Sequence, residues 1–164
     1  MYSNILVAVD LDQPGSWAKA LPASVALARC FAARLTLCTV VPDAEAELEA
    51  EWSAAGYRQM IHVAEAKLKN LAAEQDMEMP AEVGTGSIWG GIIDSAERIG
   101  ADLIVLASHK PWLKDYLLGA NASRVVRAAP CSVLVVRGSP EGTSRSGGVS
   151  GETHIRSHEP AAKA

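Results

Sequence analysis

The chain has 164 residues, 49% of them hydrophobic and 21% charged, with a formal charge of −4. That length implies one domain able to bury a sizeable core without staples, and the acidic balance argues against nucleic acid as a partner, since such a surface needs a basic face to displace counterions. No apolar run approaches the roughly 18–20 residues of a membrane span, and residues 1–4 lead straight into a strand pattern rather than a signal peptide, so a soluble cytoplasmic protein with no membrane insertion is expected.

Residues 4–10 (NILVAVD) form an apolar run ending in an acid, the pattern of a strand covered on both faces, with Asp10 at its carboxyl end. A turn-rich DLDQPGS follows, and Ser16 is placed to cap a helix reaching about residue 32. Pro22 conflicts with an unbroken helix there, so the helix either starts near Leu21 or kinks. Residues 34–41 (RLTLCTVV) read as the second strand. After an acidic, Ala-rich segment, a helical pattern runs to about Gln75 with Ile61, Ala64, Leu68, Leu71 and Ala72 on one face. Trp52 and Tyr57 are candidates either for a lid or for surface packing.

Residues 78–83 are the expected third strand, followed by GTGS and a helix over 88–99. The Gly-rich turn lacks both the G-x-G-x-x-G spacing and the Walker lysine; Gly84 and Gly86 either permit a tight turn, with Ile88, Ile92 and Ala96 packing on the sheet, or border a ligand crevice. Residues 103–107 and 132–136 are two further apolar runs, joined by a polar loop and a small-residue helix over 121–129 that opens at Gly119. The strand–helix alternation calls for an α/β fold: a five-stranded parallel doubly wound sheet of order 3-2-1-4-5 with helices on both faces. From 138 to 164 large apolar residues nearly vanish and three acids cancel three bases, so a disordered tail is expected after a folded domain of residues 1–137. His154 and His158 lie four apart, without further ligands for a metal site. Cys30, Cys38 and Cys131 lack C-x-x-C spacing and are expected to pack as small buried hydrophobes.

Ligands of open α/β sheets bind beyond the carboxyl ends of strands where the order reverses, here between the first and fourth strands. That point gathers Asp10, the loop carrying Ala107, His109 and Lys110, and the helix beginning at Gly119. A helix start with free N–H groups favours phosphate. A phosphoacceptor receiver would need an acid ending the middle strand, where EVGTGS has none, and no Ser/His/acid motif suggests a hydrolase.

The paired VAVD and LLGANASRVVRAAPCSVLVVR resemble the universal stress protein family, and ASHKPWLKDYLLGANAS is most similar to its F/G-type subgroup. The resemblance implies an adenine-nucleotide alpha-hydrolase-like fold and a site for ATP or AMP, with or without Mg2+. By that match Asp10 contacts adenine and ribose, Val40 offers backbone atoms to adenine, and Gly119, Ala120, Asn121 and Ala122 receive phosphates; Ala8, Leu106, Ala107, His109, Lys110, Ser132 and Val133 complete the expected site. The chain departs from the family's G-x-x-G, nine residues, G-[S/T] pattern. Ala107 and Lys110 stand at the early glycines, the spacing to Gly119 is one residue short, and Ala120 replaces a hydroxyl. Lys110 offers a point charge to a phosphate, and Asn121 or Ser123 a replacement donor.

Asp10 alternatively only caps a turn with the Asp12 backbone, His109 is then a satisfied loop side chain, and Ser132 a strand start; for Trp112 and Tyr116, interface anchoring and packing stay open. The family reading implies a stress-response regulator that binds nucleotide, modulates an unidentified partner protein and forms a homodimer through residues 132–136. Catalysis would be at most slow ATP hydrolysis or self-phosphorylation, for which no general base is visible. The alternative is a nucleotide-free dimeric interaction protein with a degenerate loop.

Overall fold

The computed structural model describes residues 1–43, 54–108 and 119–137. Five strands, β1 (Asn4–Ala8), β2 (Arg34–Pro42), β3 (Ala81–Gly86), β4 (Leu103–Ser108) and β5 (Ser132–Arg137), form one all-parallel sheet of order β3-β2-β1-β4-β5. The expected topology is the observed one. Between them run a one-turn helix α1 (Pro14–Trp17), then α2 (Ala20–Phe31), α3 (Ala54–Ala73), α4 (Ile88–Ile99) and α5 (Ala120–Ala128). None of the described helices is long and apolar enough to cross a membrane.

Side-chain alternation along each strand splits the core into two layers. Ile5, Val7, Leu35, Leu37, Leu103 and Val105 pack with Leu21 and Ala28 of α2 and Leu68 and Leu71 of α3. On the other face Leu6, Cys38, Ile104 and Leu106 pack with Ile92 and Ala96 of α4 and Val125 of α5. Residues on successive positions of β1, β2 and β4 are therefore buried on both sides, which is why these strands read as unbroken apolar runs. At the amino edge the Asp102 carboxylate accepts from the N–H groups of Ser3 (2.7 Å) and Asn4 (3.1 Å), fixing β1 beside β4.

The Pro22 conflict resolves as two helices. The chain makes one turn over Pro14–Trp17 and restarts at Ala20, so Pro22 falls in the first turn of α2, where its missing N–H would have had no partner. Gln13 and Lys19 occupy the two N-cap positions, and Ser16 lies inside α1 rather than capping a longer helix.

At the other end of α2, Ala32 adopts φ 52° and ψ 39°, and its N–H bonds back to the Ala28 and Arg29 carbonyls. This is a left-handed cap of the kind glycine fills, as Gly100 does with φ 64° after α4. Ala32→Gly is expected to stabilise the protein by roughly 0.5–1 kcal/mol, because release of Cβ strain outweighs the added freedom of the unfolded chain; urea unfolding measures it, and a lower midpoint would refute it.

The third strand lies three residues further on than the sequence suggests. Ala81–Gly86 pairs with residues 37–42 of β2, and the Pro80 carbonyl accepts from Leu37 N–H at 2.9 Å. Gly84 is thus inside the strand, and Gly86, its last residue, turns the chain with φ 87°. Ser87 then caps α4, its Oγ accepting from Gly90 N–H at 3.2 Å.

Candidate functional site

A crevice of about 470 Å³ opens over the carboxyl ends of β1, β2 and β4, at the point where the strand order reverses. It is within the range of small-molecule sites and its position is that of ligands in open α/β sheets.

The first wall is the chain leaving β1. Val9 N–H donates to the Cys38 carbonyl (2.8 Å) and the Thr39 hydroxyl donates to the Val9 carbonyl (3.0 Å), so this segment stays tied to β2 beyond the strand end. The turn that follows is built on Asp10: its Oδ1 accepts from Asp12 N–H (3.0 Å), and its carbonyl accepts from Gln13 N–H (3.2 Å) and from Trp17 Nε1 (2.8 Å). Asp10 therefore caps the turn, and it also lines the crevice, exposed. The two readings of this residue are compatible, since the turn uses one carboxylate oxygen.

Ala8, Val40, Leu106 and Ala107 line the same crevice at the ends of their strands, and Asn121 and Ala122 line it from the first turn of α5. Gly119 is the N-cap of α5, and Ser123 N–H makes the first intrahelical bond to its carbonyl (2.9 Å). Gly119 and Ala120 stand beside the crevice lining rather than in it. His109, Lys110, Trp52, Trp112, Tyr116 and the segment 138–164 with its two histidines lie outside the described residues. Ser132 and Val133 belong elsewhere: they pair with Leu103 and Ile104 at the start of β5, and strand starts in a parallel sheet lie at the edge opposite the crevice. Their inclusion in the expected site is corrected.

Sequence reasoning missed the third wall. Gln59, Met60, Val63, Ala64 and Lys67 of α3 line the crevice, with Ile88 and Ile92 of α4 opposite. The signal was present in Met60, which extends the Ala64–Leu68–Leu71 stripe one turn back, and in Val63, an apolar residue beside it.

Charge is confined to the rim. Lys67 Nζ lies 3.5 Å from Asp12 Oδ1, linking α3 to the Asp10 turn; with both side chains more than half exposed, the pair contributes under about 1 kcal/mol. Below it, burial pushes the Cys38 thiol up to about 11, so it stays protonated and packs as a hydrophobe. The Tyr57 hydroxyl lies within reach of the Val41 carbonyl (3.3 Å) and the Asp43 carboxylate, and burial with Asp43 beside it raises its pKa to about 12. Tyr57 ties α3 to the end of β2 and is not part of the crevice lining. Among the described residues no group of three His, Cys, Asp or Glu could hold a metal. Of the three cysteines only Cys38 is fully buried; Cys30 is exposed and Cys131 half-buried, a correction to the expectation for all three.

Residues 1–137 match the universal stress protein family. The chain belongs to that family. It is 32% identical over 144 residues to universal stress protein G of Escherichia coli O157:H7, covering 84% of this chain and all of that one. Among solved structures it resembles a universal stress protein in complex with cAMP (TM-score 0.58, 18% identity, 84% of this chain and 98% of that one). It also resembles a family member from Arabidopsis thaliana with AMP bound (TM-score 0.53, 18% identity, 82% and 91%). These two likenesses establish the shared fold.

Proposed function

We propose that this universal stress protein binds an adenine nucleotide in the crevice and modulates a partner protein accordingly, as a stress-response regulator of the cytoplasm. The observation that carries the reading is the convergence of Ala8, Asp10, Val40, Leu106, Ala107, Asn121 and Ala122 on one crevice of nucleotide size. The cAMP-bound and AMP-bound relatives support it. In this reading Asp10 accepts from ribose hydroxyls and the Val40 backbone meets the adenine edge. The start of α5, from Gly119 to Ala122, takes the phosphates, with His109 and Lys110 earlier in the sequence proposed as further contacts. ATP with Mg2+ is the fullest ligand proposed, AMP the smallest. Isothermal titration with MgATP and AMP tests the assignment; absence of heat and of thermal shift at millimolar nucleotide refutes it.

Ala120 favours the second reading, a nucleotide-free dimeric interaction protein, because it offers no hydroxyl at the helix start. Loss of one such hydrogen bond is worth on the order of 1 kcal/mol, too little to abolish binding alone.

We further propose a homodimer through residues 132–136. β5 is a sheet edge, and Leu134 on it is 37% exposed; an unblunted apolar edge invites a second strand, and a two-fold contact is self-complementary. Leu134→Glu is expected to yield monomer at micromolar concentration by light scattering. A parent that is itself monomeric refutes the dimer.

A further inference from the structure

The sheet has two edges, and the proposed dimer uses β5. The other edge is β3, open on its outer side among the described residues. Both of its faces are covered. Ala81 and Val83 pack in the layer of Leu68 and Leu71 of α3, while Gly84 lies against Gly91 of α4 and Glu82 is ion-paired with Arg98 of α4.

The phase of the ladder decides which backbone groups face outward. A strand residue points its N–H and C=O to one side, and its neighbours point theirs to the other. Leu37 N–H donates to the Pro80 carbonyl at 2.9 Å, and Leu37 stands opposite Ala81. Pro80, Glu82 and Gly84 therefore turn their backbone groups to β2, and the N–H and C=O of Ala81 and Val83 turn away from the sheet, where no described group bonds to them. Such an edge is a template for a further strand. The devices that ordinarily blunt one are missing: AEVGTG contains neither Lys nor Pro, and its single charge, Glu82, is drawn to α4 by Arg98.

Charge selects the occupant. Glu78 precedes the strand, and α4, which packs on it, exposes Asp94 and Glu97 while Arg98 is already paired with Glu82. A second copy would bring one acidic α4 flank against another. Side chains of an added strand alternate between the two faces, so those on the α4 side meet acid and those on the α3 side meet Ala81 and Val83. We infer that the β3 edge captures an extended segment of another protein by strand addition, a segment whose basic residues alternate with small or β-branched apolar ones. The inference rests on the proposal that this protein acts on a partner, and it is independent of the nucleotide.

The probe is the peptide acetyl-Lys-Val-Lys-Val-Lys-Val-amide, titrated by calorimetry against the full chain, Val83→Pro and Leu134→Glu, each checked for folding by circular dichroism and urea unfolding. Val83→Pro removes an outward N–H and leaves the ladder to β2 intact. It is expected to weaken the peptide by about tenfold or more, as is N-methylation of every peptide amide, which keeps the charge and removes the donors. The same peptide with Glu for Lys should lose at least as much, and Leu134→Glu should bind the basic peptide as the parent does. Absence of binding by the parent at millimolar basic peptide overturns the inference. Equal affinity for the N-methylated peptide overturns strand addition, whether or not Val83→Pro folds; equal affinity of a folded Val83→Pro removes β3, and equal affinity for the acidic peptide removes the charge pattern. A light-scattering mass that falls in Val83→Pro but not in Leu134→Glu gives the edge to a second copy and overturns the inference as well. AMP is titrated into the same parent: AMP binding without peptide binding sinks this inference alone, and peptide binding without AMP binding sinks only the nucleotide.

Discussion

Gly84→Ala is expected to destabilise the protein by about 2–3 kcal/mol and lower its melting temperature by roughly 5–10 °C. The sign is not obvious, because replacing a strand glycine by alanine ordinarily stabilises by roughly 0.5–1 kcal/mol. Here the added Cβ would lie 2.8 Å from the Gly91 carbonyl oxygen, 3.1 Å from its carbon and 3.1 Å from Ser95 Oγ. Two of those atoms are backbone in the middle of α4, which cannot yield without the whole helix lifting from the sheet. Gly91→Ala meets the reciprocal obstacle, with Thr85 O and Val40 Cγ1 each at 2.8 Å, and should cost as much despite the helix propensity of alanine, worth about 1 kcal/mol. Because Val40 and Ile92 line the crevice, the displaced helix should also weaken ligand binding. Gly15→Ala is the control: its Cβ meets nothing, and its stability should match or exceed that of the parent. Urea unfolding of the three variants decides the matter; a Gly84→Ala protein as stable as the parent would show that the helix–strand contact is not tight.

This same contact explains what the sequence left illegible. β1, β2 and β4 announce themselves as apolar runs because each is buried by neighbours on both sides of a parallel sheet, β5 does so through its β-branched SVLVV although it is a half-exposed edge, and α4 carries a cap, a stripe and a terminal glycine. Strand β3 carries none of these signals. AEVGTG is a strand because α4 presses against it so closely that only glycine fits, a fact about a residue seven positions away rather than about the segment itself. The site divides in the same manner. Asp10 and the start of α5 were legible because a topological rule places strand ends and helix starts together, and Val40 because the family resemblance implies it. The α3 wall was not, because a helix was assigned one buried stripe when this one serves both the core through Ala64, Leu68 and Leu71 and the crevice through Met60, Val63 and Lys67. Ser132 and Val133 went wrong for the opposite reason: a resemblance in sequence was carried to the wrong end of a strand.

Gly119→Val is expected to weaken AMP by about thirty- to a hundredfold while leaving adenosine and the unfolding midpoint almost unchanged. The argument starts from the free protein. Gly119 has φ −55° and ψ 152°, a conformation open to any L-residue, and a Cβ there meets no atom within 4 Å. Neither backbone strain nor packing requires glycine, so the fold should accept valine. What remains is the space in front of α5. The first intrahelical bond is made by Ser123 N–H, which leaves the N–H groups of Ala120, Asn121 and Ala122 without partners in the helix. A phosphate resting on them gains charge-assisted hydrogen bonds worth about 1.5–3 kcal/mol each. An isopropyl group at 119 would hold it away and forfeit one or more of them, and one such bond already corresponds to about a factor of ten or more in affinity. Adenosine, lacking the phosphate, is the internal control, and Gly119→Ala should fall between parent and valine variant. Equal AMP affinity in a folded Gly119→Val protein would remove phosphate from the start of α5, and an equal loss for adenosine would place the effect on the crevice rather than on the helix end.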